Sequence, residues 1–124
     1  NMNNKTKRDN MMDNDDLSKL LSKVGNFRTM YGAQAFHKSK GMYFFSDGAK
    51  RFFSSRISDN IYGGCVFVTS EKYGWKHPRL YTIRYIGIDG DIHSYSGFQE
   101  YSSRNTAHYH ARKLGDWIKS ERKV

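Results

Sequence analysis

The stretch Arg79–Ser96, "RLYTIRYIGIDGDIHSYS", decides the fold. Two runs rich in strand-forming residues, 79–88 and 91–96, flank the pair Asp89–Gly90. An Asp-Gly pair accepts the positive φ angles that a tight two-residue turn requires, so an antiparallel hairpin is expected here. Upstream, "CVFVTS" (65–70) reads as a strand rich in β-branched residues. The loop "EKYGWKHP" (71–78) follows it and is closed by the single proline. Further out, "GMYFF" (41–45) is a short continuous apolar run, read as a buried strand. "SDGAK" (46–50) is turn-like, with Ser46 able to cap one short helical turn, and "RFFSSRI" (51–57) reads as a second strand or extended segment. "SDN" (58–60) and "GG" (63–64) punctuate the chain before the β-branched run.

Helical periodicity appears at both ends. Leu17, Leu20, Leu21, Val24, Phe27 and Tyr31 recur at three- and four-residue steps behind an Asn14–Asp16 cap and acid cluster. Gly25 is placed to break or bend this helix and Gly32 to end it. Ala107, Ala111, Leu114, Trp117 and Ile118 mark a second apolar face from about Ser103 to Arg122, capped by Ser102 or Ser103. The expected fold is therefore α+β: a small, mostly antiparallel sheet of four or five strands flanked by an N-terminal and a long C-terminal helix. Residues 1–13 are polar and aperiodic and read as a disordered leader, leaving residues 14–124 as a single domain.

With 124 residues, a formal charge of +9 and abundant Tyr and Phe but little Leu, the composition favours strands and an anionic partner. Cys65 is the single cysteine, so neither a disulfide framework nor a thiolate metal cage is available, in keeping with a reducing compartment. No secretory signal or apolar run of membrane length is visible, and no membrane association is expected.

The chemistry-bearing residues are cationic. "FSSR" (53–56) and "YSSR" (101–104) write an aromatic, two serines and an arginine twice. Arg104, His108 and Arg112 stand four apart on the late helix, so they form a basic ladder beside its apolar stripe. Arg104 also falls in the first turn, where free N–H groups already attract an anion but a cation is unfavourable for the helix itself. Arg56 offers a planar fork for phosphate with hydroxyl donors from Ser54 and Ser55 beside it. Its structural alternative is an ion pair with Asp59, Asp89 or Asp91. In an extended segment, Phe53 and Ser55 would share one side and Phe52, Ser54 and Arg56 the other. Arg28, beside Phe27 near the end of the first helix, is a lesser candidate, and Arg84 on the hairpin a lesser one again. The two histidines of "HYH" (108–110) would point about 200° apart on a helix, so no zinc site is expected. There is no nucleophile elbow, activated cysteine signature or phosphate-binding loop, and the aspartates lie at turns. The reading is not an enzyme, with no cofactor.

The segments "GMYFFSDGAKRFFSSRIS" (41–58), "FVTSEK" (67–72), "PRLYTIRYI" (78–86) and "FQEYSSRNTAHYHARKL" (98–114) together resemble a family of small phage proteins. The shared features are an aromatic-aromatic-[Ser/Asn]-Ser-Arg segment, a Val-Thr-Ser-Glu strand end and a late Ser-Arg-x-x-Ala-x-x-x-Ala helix. The family is the first type of Thoeris anti-defence protein, the phage sponge that sequesters cyclic ADP-ribose signals. The resemblance implies a viral protein in the cytoplasm of an infected bacterial host, binding glycocyclic ADP-ribose without cleaving it. It also implies a homo-oligomer, dimer or hexamer, with nucleotide pockets between chains; some relatives additionally bind cyclic trinucleotides at separate inter-subunit sites. By motif position it carries phosphate-gripping roles to Arg56, Arg104 and Arg112. Phe53, Tyr101 and Trp75 are the candidate aromatics for an adenine ring. Two other readings stand beside it: a small basic protein that binds nucleic acid, stacking bases on exposed aromatics, and a direct inhibitor of a host defence protein.

Overall fold

The computed structural model describes residues 14–122. The expected leader, residues 1–13, lies outside the described residues. So do the side chains of residues 14–17, and with them the expected Asn14–Asp16 cap and Leu17. The elements are α1 Asn14–Lys23, α2 Met30–Ser39, α3 Asp47–Phe52, β1 Arg56–Ile57, β2 Val66–Glu71, β3 Leu80–Ile86, β4 Ile92–Ser94 and α4 Arg104–Arg122. The strands form one sheet in the order β1-β2-β3-β4, every neighbouring pair antiparallel. The fold is α+β, with a long C-terminal helix, as expected.

Four local expectations change, each for a hydrogen-bonding reason. The face read as one helix through Tyr31 is split. At the break, Gly25 N–H donates to Ile86 O (2.9 Å) and Phe27 N–H to Gly64 O (2.7 Å), so sheet and loop take the bonds that a helix would have used. The chain restarts as α2 behind Thr29, whose hydroxyl accepts from Gly32 N at 3.0 Å. Gly32 thus opens a helix instead of ending one. "GMYFF" is not a strand. Phe44 N–H donates to His37 Nε2 (2.9 Å), which leaves the proton on Nδ1 to donate to Gly90 O (2.6 Å). A buried histidine therefore replaces a neighbouring strand, and Phe44 and Phe45 turn their rings onto Phe67. "RFFSSRI" is mostly not extended either: Ser46 caps α3 by accepting from Ala49 N (3.1 Å), and Arg51 and Phe52 belong to that helix. Ser54 sits at φ 50°, so the expected alternation of faces from Phe52 to Arg56 does not apply. Finally, the hairpin turns through three residues, not two. Gly87 N–H donates to Asp91 O (2.9 Å), enclosing Ile88, Asp89 and Gly90, and of the Asp-Gly pair only Gly90 takes a positive φ, 85°. This is the three-residue loop closed by a left-handed glycine.

The sheet is covered on both sides, which is why all six residues of β2 are buried. On one face α4 lays Ala107, Ala111, Leu114 and Ile118 against β2 and β3, and α1 touches α4. Ser103 caps α4, its hydroxyl accepting from Thr106 N at 3.2 Å. The helix approaches the Tyr62–Gly63 turn so closely that a Cβ on Gly115 would lie 2.6 Å from the Tyr62 carbonyl carbon and 2.8 Å from Gly63 N. At the far end Arg122 donates to Gly63 O (2.6 Å) and to Gly25 O, tying the helix to both loops.

On the opposite face, the β2–β3 register sets Phe67 against Arg84 and Thr69 against Thr82. Glu71, only 1% exposed, accepts from Thr69 Oγ1 (2.6 Å) and Thr82 Oγ1 (3.0 Å) and pairs with Arg84 Nη2 at 3.4 Å. The Arg84 guanidinium lies over the Phe44 ring at 5.0 Å and the Phe98 ring at 5.9 Å.

Two stability outcomes follow from this packing. Gly115→Ala forces backbone against backbone and is expected to cost about 2 kcal/mol or more, read as a lower urea midpoint at unchanged m-value. Arg84→Met strands a buried carboxylate and should cost about 3–5 kcal/mol, whereas Arg84→Met combined with Glu71→Leu should recover most of that loss.

Candidate functional site

β1 is two residues long, yet its register places the site. Arg56 stands opposite Ser70, and residues opposite each other in a ladder share a face. Ser70 alternates with Val66 and Val68, which face α4, so Arg56 is delivered to the same side as the helix N-terminus. There Arg56, Arg79, Tyr81, Arg104 and His108 line a cleft of about 220 Å³, floored by Ser70. Among the described residues no carboxylate lines this cleft. Among the described residues Arg56 makes no ion pair with Asp59, Asp89 or Asp91.

Arg79 is held in place by the backbone around it. Its Nη1 donates to Ser54 O (2.9 Å), Ser70 O (3.2 Å) and Ser70 Oγ (2.9 Å), which pins the Ser54 turn to β2. Burial, and then the positive charge of Arg56, push its pKa down from the ordinary arginine value. Glu71 offsets part of that repulsion, and a guanidinium placed beside another gains further when an anion arrives.

The cleft opens past β1 into a broader hollow of about 970 Å³, which shares Arg56 and Arg79 and adds Lys50, Arg51, Lys72 and Trp75. Asp47 and Asp59 also line it, and Asp47 lies 3.9 Å from Lys50 Nζ. Trp75 is 84% exposed, with Lys76 Nζ over its ring at 5.0 Å.

The structure thus brings together Arg56, Arg104 and His108, and it sets Ser55 on the broader hollow. Other candidates stand elsewhere. Arg112 is exposed one turn beyond His108 and lines neither hollow. Arg28 lies in the connection between α1 and α2, not within a helix, and is likewise apart. Tyr101 pairs its backbone with Tyr81 and stacks its ring on His110 at 5.5 Å, and it is not among the residues that line the cleft. Phe53 closes α3 and joins Phe98 and Tyr73 in a separate aromatic cluster. Arg84, set aside as a lesser candidate, is committed to Glu71. Arg79 was missed. It reads as an ordinary residue opening a strand, and only the pairing of β2 with β3 sets it beside Arg56.

A family model described as a family of unknown function, DUF7447, matches residues 29–112, about two thirds of the chain. The chain belongs to that family. No curated protein and no solved structure matches it. The DUF7447 match spans β1 to β4 and the first half of α4, so every residue lining the arginine cleft falls inside it.

His108 gives the cleft of this DUF7447 chain a pH response. Its Nδ1 hydrogen-bonds the Tyr62 hydroxyl at 2.8 Å, and its pKa lies below the ordinary 6.5 because of burial first, then Arg104 and Arg112. The unfolded chain takes up this proton near pH 6.5, while the folded chain resists it. The stability His108 contributes is therefore complete above pH 6.5 and falls as pH drops through that value. An anion in the cleft should reverse the repulsion, so adding inorganic phosphate is expected to raise the His108 titration midpoint followed by NMR of its ring protons. A phosphate-independent midpoint would show that the cleft holds no anion.

Proposed function

We propose that this protein binds and sequesters a cyclic nucleotide of the glycocyclic ADP-ribose class, holding it intact in the cytoplasm of an infected bacterial host and so blocking Thoeris defence. The observation that carries the reading is the convergence of Arg56, Arg79, Arg104 and His108 on one cleft with no carboxylate lining it among the described residues. The chemistry fits a pyrophosphate: two arginine forks, a third guanidinium fixed by the backbone, and the N-terminal turn of α4, whose dipole favours negative charge. The resemblance of about residues 41–115 to anti-Thoeris sponges supplies the ligand class and the biological setting.

The cleft holds about 220 Å³, less than the ~300–1,000 Å³ usual for a complete small-molecule site. A second copy of the chain closing over it would exclude water and strengthen each ionic contact, in keeping with a homo-oligomer, dimer or hexamer. Separate sites for cyclic trinucleotides belong to the same proposal. A second reading has its own support. Trp75 and Tyr73 are exposed beside Lys72 and Lys76, an arrangement that suits stacked bases of single-stranded nucleic acid.

Isothermal titration with glycocyclic ADP-ribose is expected to give tight, stoichiometric binding, with the ligand released unchanged on heating. Arg104→Ala, on an exposed side chain, should weaken it more than tenfold with an unaltered unfolding midpoint. Absence of binding at micromolar protein sinks the proposal. Steeply salt-dependent binding of a single-stranded oligonucleotide in its place favours the second reading.

A further inference from the structure

Across β1 from the arginine cleft lies a third hollow, between α3 and the sheet. It measures about 210 Å³ and is walled by Phe44, Phe53 and Phe98, with Glu71 and Arg84 at its polar end. We propose that this cavity is a nucleobase pocket, the companion of the phosphate cleft; the inference rests on the nucleotide reading above.

Four features carry it. The first is the walls: they are aromatic rings, which offer flat faces to a planar heterocycle of any sequence. Phe53 and Phe98 stand with centroids 5.7 Å apart, and Phe98 is 45% exposed, so the mouth reaches solvent. The second is the polar end, which offers both kinds of hydrogen-bonding partner. Arg84 can only donate and Glu71 can only accept, and among the described residues Glu71 Oε1 accepts from Thr82 alone, which leaves it one further lone-pair site for a ring or exocyclic N–H. The Ser55 hydroxyl adds a group that does either. A base edge carries donors and acceptors side by side with no net charge, whereas a plain hydrocarbon would leave the acid and guanidinium without use for their remaining valences.

The third feature is size. A volume of about 210 Å³ is below the ~300–1,000 Å³ of whole-ligand sites, so it takes one ring system and excludes an entire nucleotide. The fourth is position. Ile57 lines this cavity, the arginine cleft and the broad hollow alike, and Lys50 and Ser55 are shared with the broad hollow. A base seated among the phenylalanines would leave its sugar and phosphates at the rim formed by residues 55–57, facing Arg56. The "FSSR" segment is then the partition between two halves of one site.

The test compares two ligands with the same phosphate charge pattern but different tails: ADP and inorganic pyrophosphate, titrated calorimetrically into the full chain. ADP is expected to bind about tenfold or more tighter than pyrophosphate. Phe98→Ala should bring ADP down to the affinity of pyrophosphate while leaving pyrophosphate itself unchanged. Ala49→Phe is the second variant. Ala49 lines the cavity from exposed α3, so a larger side chain fills the space without disturbing the buried core. It is expected to erase the same preference. If pyrophosphate binds and ADP gains nothing, or if Phe98→Ala weakens both equally, the base pocket is overturned and the phosphate cleft stands. If neither ligand binds, the phosphate reading falls and the base pocket falls with it.

Discussion

A carboxylate buried in protein cannot stay charged without a partner, and Glu71 has been given three. Thr69, Thr82 and Arg84 converge on it from β2 and β3. Satisfying them fixes several things at once: the β2–β3 register, the position of Arg84 between Phe44 and Phe98, and the polar end of the cavity under α3. The desolvation cost of such a pair is large, and replacing it by apolar residues is often neutral or favourable. Its retention in so small a core is therefore better explained by the geometry it specifies than by net stability. The aromatic layer over this face is arranged around that guanidinium.

The opposite face is organised by a different constraint, the repulsion among cations. Arg56 and Arg104 extend toward the cleft, while Arg79 is held by three backbone and hydroxyl contacts and His108 is kept short of its proton. Like charges held close in this way weaken the unliganded domain and favour whatever anion relieves them. The two faces thus divide the chemistry: an ion pair beneath the aromatics, and a cluster rich in cations beneath the N-terminus of α4. β1, only two residues long, runs between them.

Much of the fold was legible in the chain itself. The β3–β4 hairpin, the strand at 66–71 and the whole of α4 with its serine cap follow from local pattern, because each is stabilised mainly by its own periodicity and turn chemistry. What escaped was set by distant partners. "GMYFF" looks like a strand, and only His37, seven residues back, removes its need for one. α2 carries its glycine inside the first turn, where local reading expects an end. In the site, Arg56 and Arg104 were marked by their paired tetrapeptides, yet Arg79 carried no local mark. Tyr101, from the second tetrapeptide, stacks its ring on His110 and is not among the cleft's lining residues.

Local pattern was enough to establish a basic α+β domain with a cation in the first turn of a long C-terminal helix. Those properties are local, written in charge, turn residues and helical spacing. That the arginines of the two "aromatic-Ser-Ser-Arg" stretches line one cleft follows from tertiary pairing. One antiparallel pairing, Arg56 against Ser70, turns the first arginine to the face that α4 covers, while Phe53, at the end of α3, lines the hollow on the other. A one-residue slip would send Arg56 to the aromatic side, because successive side chains in a strand point to opposite faces. The site therefore depends on register, which no short stretch of the chain encodes alone.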